Sequence, residues 1–196
     1  MLTEKPAARG RLGGATRTAA QTRVLDAALT LFSDHGVSGT SLQMIADAVG
    51  VTKAAVYHQF KTKEDIVIAV TDAELGKLED ALEAAEAEDD PLRARKVLLT
   101  RVIDMAIDRR GAVRTLQSDP VIIRLLGEHA PFQQFISRLY GILLDEHDDT
   151  EARISAALLS GAIAGGIVSP IVDDIDDETL KAAVIQLTQR MLKLPD

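Results

Sequence analysis

Lys53, Tyr57, His58, Gln59, Lys61 and Lys63 crowd into one short window of the chain. Two ammonium groups flank a phenol, an imidazole and an amide, and a third ammonium follows. These are donors and cations, suited to phosphate oxygens and the edges of nucleobases. Bond-breaking chemistry needs a nucleophile, a base and an orienting group within mutual reach. No such constellation is visible, so no catalytic role is expected. With no cysteine in the chain, thiolate nucleophiles, disulfides and thiolate metal sites are excluded.

Something must hold those side chains on one face. The stretch TSLQMIADAVGVTKAAVYHQF, residues 40–60, reads as two short helices joined by a turn at Val49-Gly50-Val51. Leu42, Ile45, Ala46 and Val49 are spaced i, i+3, i+4, i+7, which gives the first helix one apolar face. Thr40 followed by Gln43 has the spacing of a capping box, and Thr52 can cap the second helix. Val56 and Phe60 can dock that helix, leaving Lys53, Ala54, Tyr57, His58 and Gln59 towards solvent. Such a pair is a helix-turn-helix, whose second helix enters a DNA major groove. The plainer alternative is an ordinary helical hairpin in an all-α domain.

Composition bears on that choice. The net charge of −8 argues at first against a polyanionic partner. Its distribution argues the other way. Residues 1–70 hold eight Lys/Arg and six Asp/Glu, net +2; residues 71–196 hold fourteen and twenty-four, net −10. A basic end on an acidic body would meet DNA with the first portion only. No apolar run is long enough for a membrane span, and no signal peptide is visible. A cytoplasmic protein with no membrane partner is expected.

Helical periodicity continues throughout. Residues 1–16 read as a flexible basic arm whose Arg9 and Arg11 could reach phosphates or a minor groove. A helix over about 16–35 carries Val24, Ala27, Ala28, Leu31 and Phe32 and ends at Gly36. Thr62-x-x-Asp65 opens a long helix to about Ala87, whose apolar face rotates along its length. Asp90-Pro91 opens a buried helix to Arg110, and Asp119-Pro120 and Pro131 open two more. Thr150 and Asp176 or Asp177 can cap the last two. No alternating strand pattern and no internal repeat appears. The expected fold is all-α with about nine helices. An arm (1–16) precedes a small helix-turn-helix domain (17–62) and a larger helical domain (63–196).

The block from Arg23 to Val70 resembles the N-terminal domain of the TetR (tetracycline-repressor) family of bacterial transcriptional regulators. The resemblance rests on Phe32, Gly36, Thr40-Ser41, Ile45-Ala46, Gly50-Val51, Val56-Tyr57, Phe60, Lys61 and Lys63-Glu64 at the family's spacings. It implies a homodimeric regulator, in most cases a repressor. Such a protein binds a double-stranded operator, expected to be a pseudo-palindrome, and is released by a small lipophilic effector; no cofactor is implied. By the same resemblance, Thr40, Ser41, Gln43, Tyr57, Lys61 and Lys63 would contact phosphates. Thr52, Lys53, Ala54, Ala55, His58 and Gln59 would lie along the groove-facing helix. The chain departs from the family at Ala54, Ala55 and Gln59, where Gly, Ser/Thr and His are frequent. Base reading would then rest on Lys53, helped by His58 or Gln59, with only methyl contacts from the alanines. The alternative function is a helical small-molecule-binding protein or enzyme that has lost DNA binding.

The resemblance also implies an effector pocket and a dimer interface in the C-terminal half. Candidate linings are Val102, Met105, Leu116, Gln117, Ile122, Leu126, His129, Phe132, Phe135, Ile136 and Tyr140, each of which could equally be plain core. With few aromatics and no Trp, a cation cage is not expected and an uncharged or acyl-like effector fits better. The small-residue run SGAIAGGIVSP allows close helix approach. Ser160, Gly161, Ala164, Gly165 and Val168, with Val184, Leu187 and Met191 of the last helix, are the candidate interface; internal packing of the glycines is the alternative. Three charged clusters have structural readings. Residues 146–149 look like a helix end, residues 173–178 lack the central Gly of a calcium loop, and Arg109-Arg110 suits a helix C-terminus. No metal site is expected.

Overall fold

The computed structural model describes residues 12–14, 16–144 and 150–194 and is all-α, with no strand among them. The first helix, α1 (Ala19–Gly39), starts at a capping box formed by Thr18 and Gln21. Its first regular run ends at Gly36, as expected. That residue takes φ 69°, ψ 166°, kinking the helix, and one more turn follows to Gly39. Helices α2 (Leu42–Val49) and α3 (Lys53–Gln59) are joined through Gly50 in the left-handed region, φ 77° and ψ 34°. The Gly50 and Val51 amides there return to the Asp47 and Ala46 carbonyls.

The capping expected of Thr40 and Gln43 is corrected. Ser41 is the N-cap of α2 and accepts from the Met44 amide. The kink at Gly36 leaves carbonyls that need donors. The Thr40 hydroxyl supplies one, donating to Leu31 O (3.1 Å) and Gly36 O (2.8 Å). Gln43 instead donates to Asp47 Oδ1. Thr52 caps α3 and the Thr62–Asp65 box opens α4 (Lys63–Leu75), both as expected.

The long helix expected over 63–87 is interrupted. A 3-10 turn at Gly76–Leu78 separates α4 from α5 (Glu79–Glu86). The segment read as a flexible arm turns back at Leu12–Gly13 and crosses Gly76. A Cβ on Gly76 would lie 2.4 Å from Gly13 Cα, so backbone meets backbone there. Leu12 is buried; its amide donates to Glu79 Oε1, and the Gly13 amide donates to Asp72. Arg17 pairs with Asp72 and donates to the Ala69 carbonyl. Arg9 and Arg11 lie outside the described residues.

Helix α6 (Pro91–Asp108) packs against α5, α9 (Ala130–Leu144), α10 (Thr150–Ile167) and α11 (Asp177–Met191). Leu98, Leu99 and Ile103 on it are fully buried, while Leu92 and Val97 face solvent. A helix absent from the sequence reading, α7 (Arg110–Ser118), follows after a break at Arg109, and α8 (Pro120–Glu128) is capped by Asp119. Two cores result. One joins α1 to α4 and takes in Ile122 and Leu126 of α8. The other is built on α5, α6, α9, α10 and α11, with Leu12 among its buried members. So α4 and α8 both contribute to the first core.

Two contacts tie α1 to the larger half. Asp119 accepts from the Val37 amide at 2.6 Å as well as from Val121, and Ser33 and Thr115 hydroxyls lie 2.6 Å apart. Among the described residues no helix is long and apolar enough to cross a membrane.

Candidate nucleic-acid interface and ligand cavity

Helix α3 has seven residues and too little surface of its own to be stable alone. Val56, fully buried, and Phe60 fix it on Ile45 and Ala46 of α2 and on α1. That docking turns Lys53, Ala54, Ala55, Tyr57 and His58 outward, with Gln59 half-buried. Tyr57 is 52% exposed. Lys61 Nζ stands 5.2 Å from the centre of that ring, a cation–π contact the sequence reading missed. It holds the phenol and the ammonium together at the end of the helix. Thr52 caps α3 from the same side, and Ser41 and Gln43 are exposed at the start of α2.

Two of the expected phosphate contacts face inward. Thr40 is 2% exposed and its hydroxyl is taken up by α1. The Lys63 ammonium donates to the Val37 (2.6 Å) and Thr40 (2.9 Å) carbonyls, closing the end of α1. Both hold the loop before α2; neither lies on the outward face. The signal available in the sequence was the kink at Gly36, which creates the carbonyls they satisfy.

In the larger half, α4, α6, α7, α9 and α10 enclose a mainly apolar cavity of about 220 Å³. Nine of the expected residues line it: Val102, Met105, Leu116, Gln117, Leu126, Phe132, Phe135, Ile136 and Tyr140. Two do not. Ile122 is buried in the first core, and His129 lies in a separate groove with Arg17, Phe60 and Asp72. The polar part of the wall is where the sequence reading fell short. Glu74, buried on α4, receives Arg109 in a two-point pair, Nε to Oε2 at 2.8 Å and Nη2 to Oε1 at 2.6 Å, and Lys77 at 2.8 Å. Burial opposes the Glu74 charge, but the hydrogen bonds from Arg109 and Lys77 outweigh it and lower the carboxyl's pKa. Arg109 therefore does more than suit a helix end. Tyr140 is pushed up by burial, partly offset by its hydrogen bond with Ser160.

That bond bears on the candidate dimer surface, because Ser160 and Ala164 line the cavity. Val168 and Val184 are half-buried against the main core. Gly161, Gly165, Leu187 and Met191 are exposed as expected. Ile154 and Leu158, which the sequence reading omitted, are 55% and 65% exposed on α10. No group of three His, Cys, Asp or Glu among the described residues is placed to hold a metal. Asp176 caps α11, Asp177 pairs with Arg110, and residues 146–149 lie outside the description.

Comparison with known proteins agrees with this arrangement. Residues 24–70 match the family model for bacterial regulatory proteins of the tetR family. The HTH-type transcriptional regulator AcrR of Shigella flexneri is 39% identical over 87 residues, 43% of this chain and 40% of AcrR, so that match spans well under half of the relative. TtgR of Pseudomonas putida is 28% identical over 182 residues, 89% of this chain and 80% of TtgR. FadR of Bacillus subtilis, solved in complex with stearoyl-CoA, superposes with a TM-score of 0.66 at 19% identity, covering 85% of this chain and 96% of FadR. That likeness is one of fold. The helix-turn-helix lies within the segment that matches the tetR family of bacterial regulatory proteins, and the all-α body has the fold of that solved regulator.

Proposed function

We propose that the protein is a sequence-specific transcriptional repressor. It binds a pseudo-palindromic double-stranded operator as a homodimer, in the cytoplasm, and releases it when a small, largely apolar effector fills the cavity. The observation that carries the DNA reading is the outward face of α3. Val56 and Phe60 are buried while Lys53, Tyr57 and His58 stand free on a helix capped at Thr52. In this reading the exposed Ser41, Gln43 and Lys61 meet phosphates, and Ala54 and Ala55 offer methyl contacts. Exposed Ile154, Leu158, Leu187 and Met191 support a two-fold interface through α10 and α11. The cavity and the stearoyl-CoA bound by FadR support an effector with a long apolar part.

Selection of bound sites from random-sequence duplexes tests this reading. A recovered motif with two-fold symmetry, and half-sites about one helical turn apart, is the expected result. Recovery of no enriched sequence would favour the alternative, a helical small-molecule-binding protein that has lost DNA binding.

A further inference from the structure

The cavity's chemistry narrows the effector class. Of all the side chains that line it, only Arg109 and Gln117 are exposed, so its mouth lies between the ends of α6 and α7. At that mouth the cavity adjoins a groove of about 350 Å³, and Leu78, Met105 and Arg109 line both. The groove adds Lys77 and Arg101, and Asp104 and Asp108. Asp104 is paired to Lys181 at 2.6 Å. Arg101 has no ion-pair partner among the described residues and is exposed.

Glu74 grips Arg109 through Nε and one Nη2 hydrogen only. A guanidinium carries five donors in a fixed fork, so the Nη1 edge remains available to a ligand. Glu74 offers a cationic ligand no such opening, because it already accepts from two cations and would have to abandon both; Asp108, exposed at the edge of the groove, is the acceptor that remains. Arg109, Lys77 and Arg101 thus converge where the cavity meets the groove; Glu74 is engaged by two of them, and Asp108 in the groove and Asp26, which acts on Arg109 from α1, are the other carboxylates nearby.

We propose that the effector is an anionic amphiphile. Its hydrocarbon portion lies in the cavity, and its carboxylate or phosphate head sits in the groove against Arg109, Lys77 and Arg101. This rests on the reading of the cavity as the effector site. It adds that binding discriminates by head-group charge, with Glu74 as the positioning residue that presents Arg109.

Calorimetric titration with decanoate, decyl phosphate, decanol and decyltrimethylammonium, all below their micellar concentrations, tests the inference. The anions should bind about tenfold more tightly than decanol, as one charge-assisted contact at a half-exposed site predicts, and the cation most weakly. Comparison of decanoate with decyl phosphate separates the two head chemistries. The surface variant Lys77→Gln/Arg101→Gln should lower anion affinity severalfold, and Glu74→Gln/Arg109→Gln, which leaves no unpaired buried charge, should abolish the preference. In both variants the anions should lose more affinity than decanol does, so that the anion-to-decanol ratio falls. Decanol binding as tightly as the anions, or the cation binding best, overturns the head-group assignment and leaves the cavity as an effector site. Binding of none of the four overturns the effector-site reading and the inference with it.

Discussion

Replacing Asp119 with Ala should destabilise the protein by about 2–4 kcal/mol, the sum of two losses. One carboxylate oxygen caps α8 through the Val121 amide at 2.8 Å; the other accepts from the Val37 amide at 2.6 Å. Losing an N-cap acceptor costs about 1 kcal/mol. Leaving a buried amide unsatisfied costs about 1–3 kcal/mol, and Val37 is 1% exposed. Asn should recover about half of the loss, because its amide has one oxygen to accept with and the nitrogen can only donate. Urea unfolding at fixed protomer concentration reads the effect, since dimerisation would add its own linkage. Asp119 lies two residues beyond Gln117 of the cavity wall and bonds directly to α1. The Ala variant should therefore bind effector normally yet release DNA less completely when effector is added. An Ala variant within about 0.5 kcal/mol of the parent, with effector release intact, would refute both the energetic argument and the placement of the connection.

Gly76→Ala should destabilise the full-length chain, because the added Cβ meets Gly13 Cα at 2.4 Å. In a chain lacking residues 1–14 the same substitution should become neutral or stabilising by up to about 1 kcal/mol, the ordinary helical gain of Ala over Gly; urea unfolding of the four proteins closes the cycle. Because the folded-state pKa of Glu74 is lowered, its contribution is present above the ordinary glutamate range and is lost as pH falls through the lowered value. Glu74→Gln should accordingly flatten the acid limb of the stability–pH curve and leave its neutral-to-alkaline limb shape unchanged. Leu158→Glu/Leu187→Glu should give monomers in sedimentation; a dimer of unchanged affinity would remove the α10–α11 interface. Lys53→Ala should relax base preference at one operator position by about 1–3 kcal/mol. A uniform loss on all sequences would make Lys53 a phosphate contact instead.

Periodicity and caps made the helices legible wherever the determinant was local. Thr52, Thr62 and Asp90 start helices where the sequence puts them, and Val56 and Phe60 dock α3 as their spacing implies. Determinants distant in sequence were not legible. The close approach at Gly76 is to Gly13, and the Lys63 ammonium meets carbonyls at Val37 and Thr40. Arg109 read as a helix end because its partner, Glu74, lies thirty-five residues away. The same limit applied to Ser160. Its small size suits helix–helix contact, but only the position of Tyr140 decides which neighbour it meets.

The most direct test of the account is fluorescence anisotropy on two labelled duplexes, the selected operator and a scrambled version of it, across a salt series. The account predicts a Kd for the operator at least about 10³-fold lower at physiological salt, and a steep loss of affinity for both duplexes as salt rises. Equal Kd values for the two duplexes, or no binding to either at low salt, would contradict it.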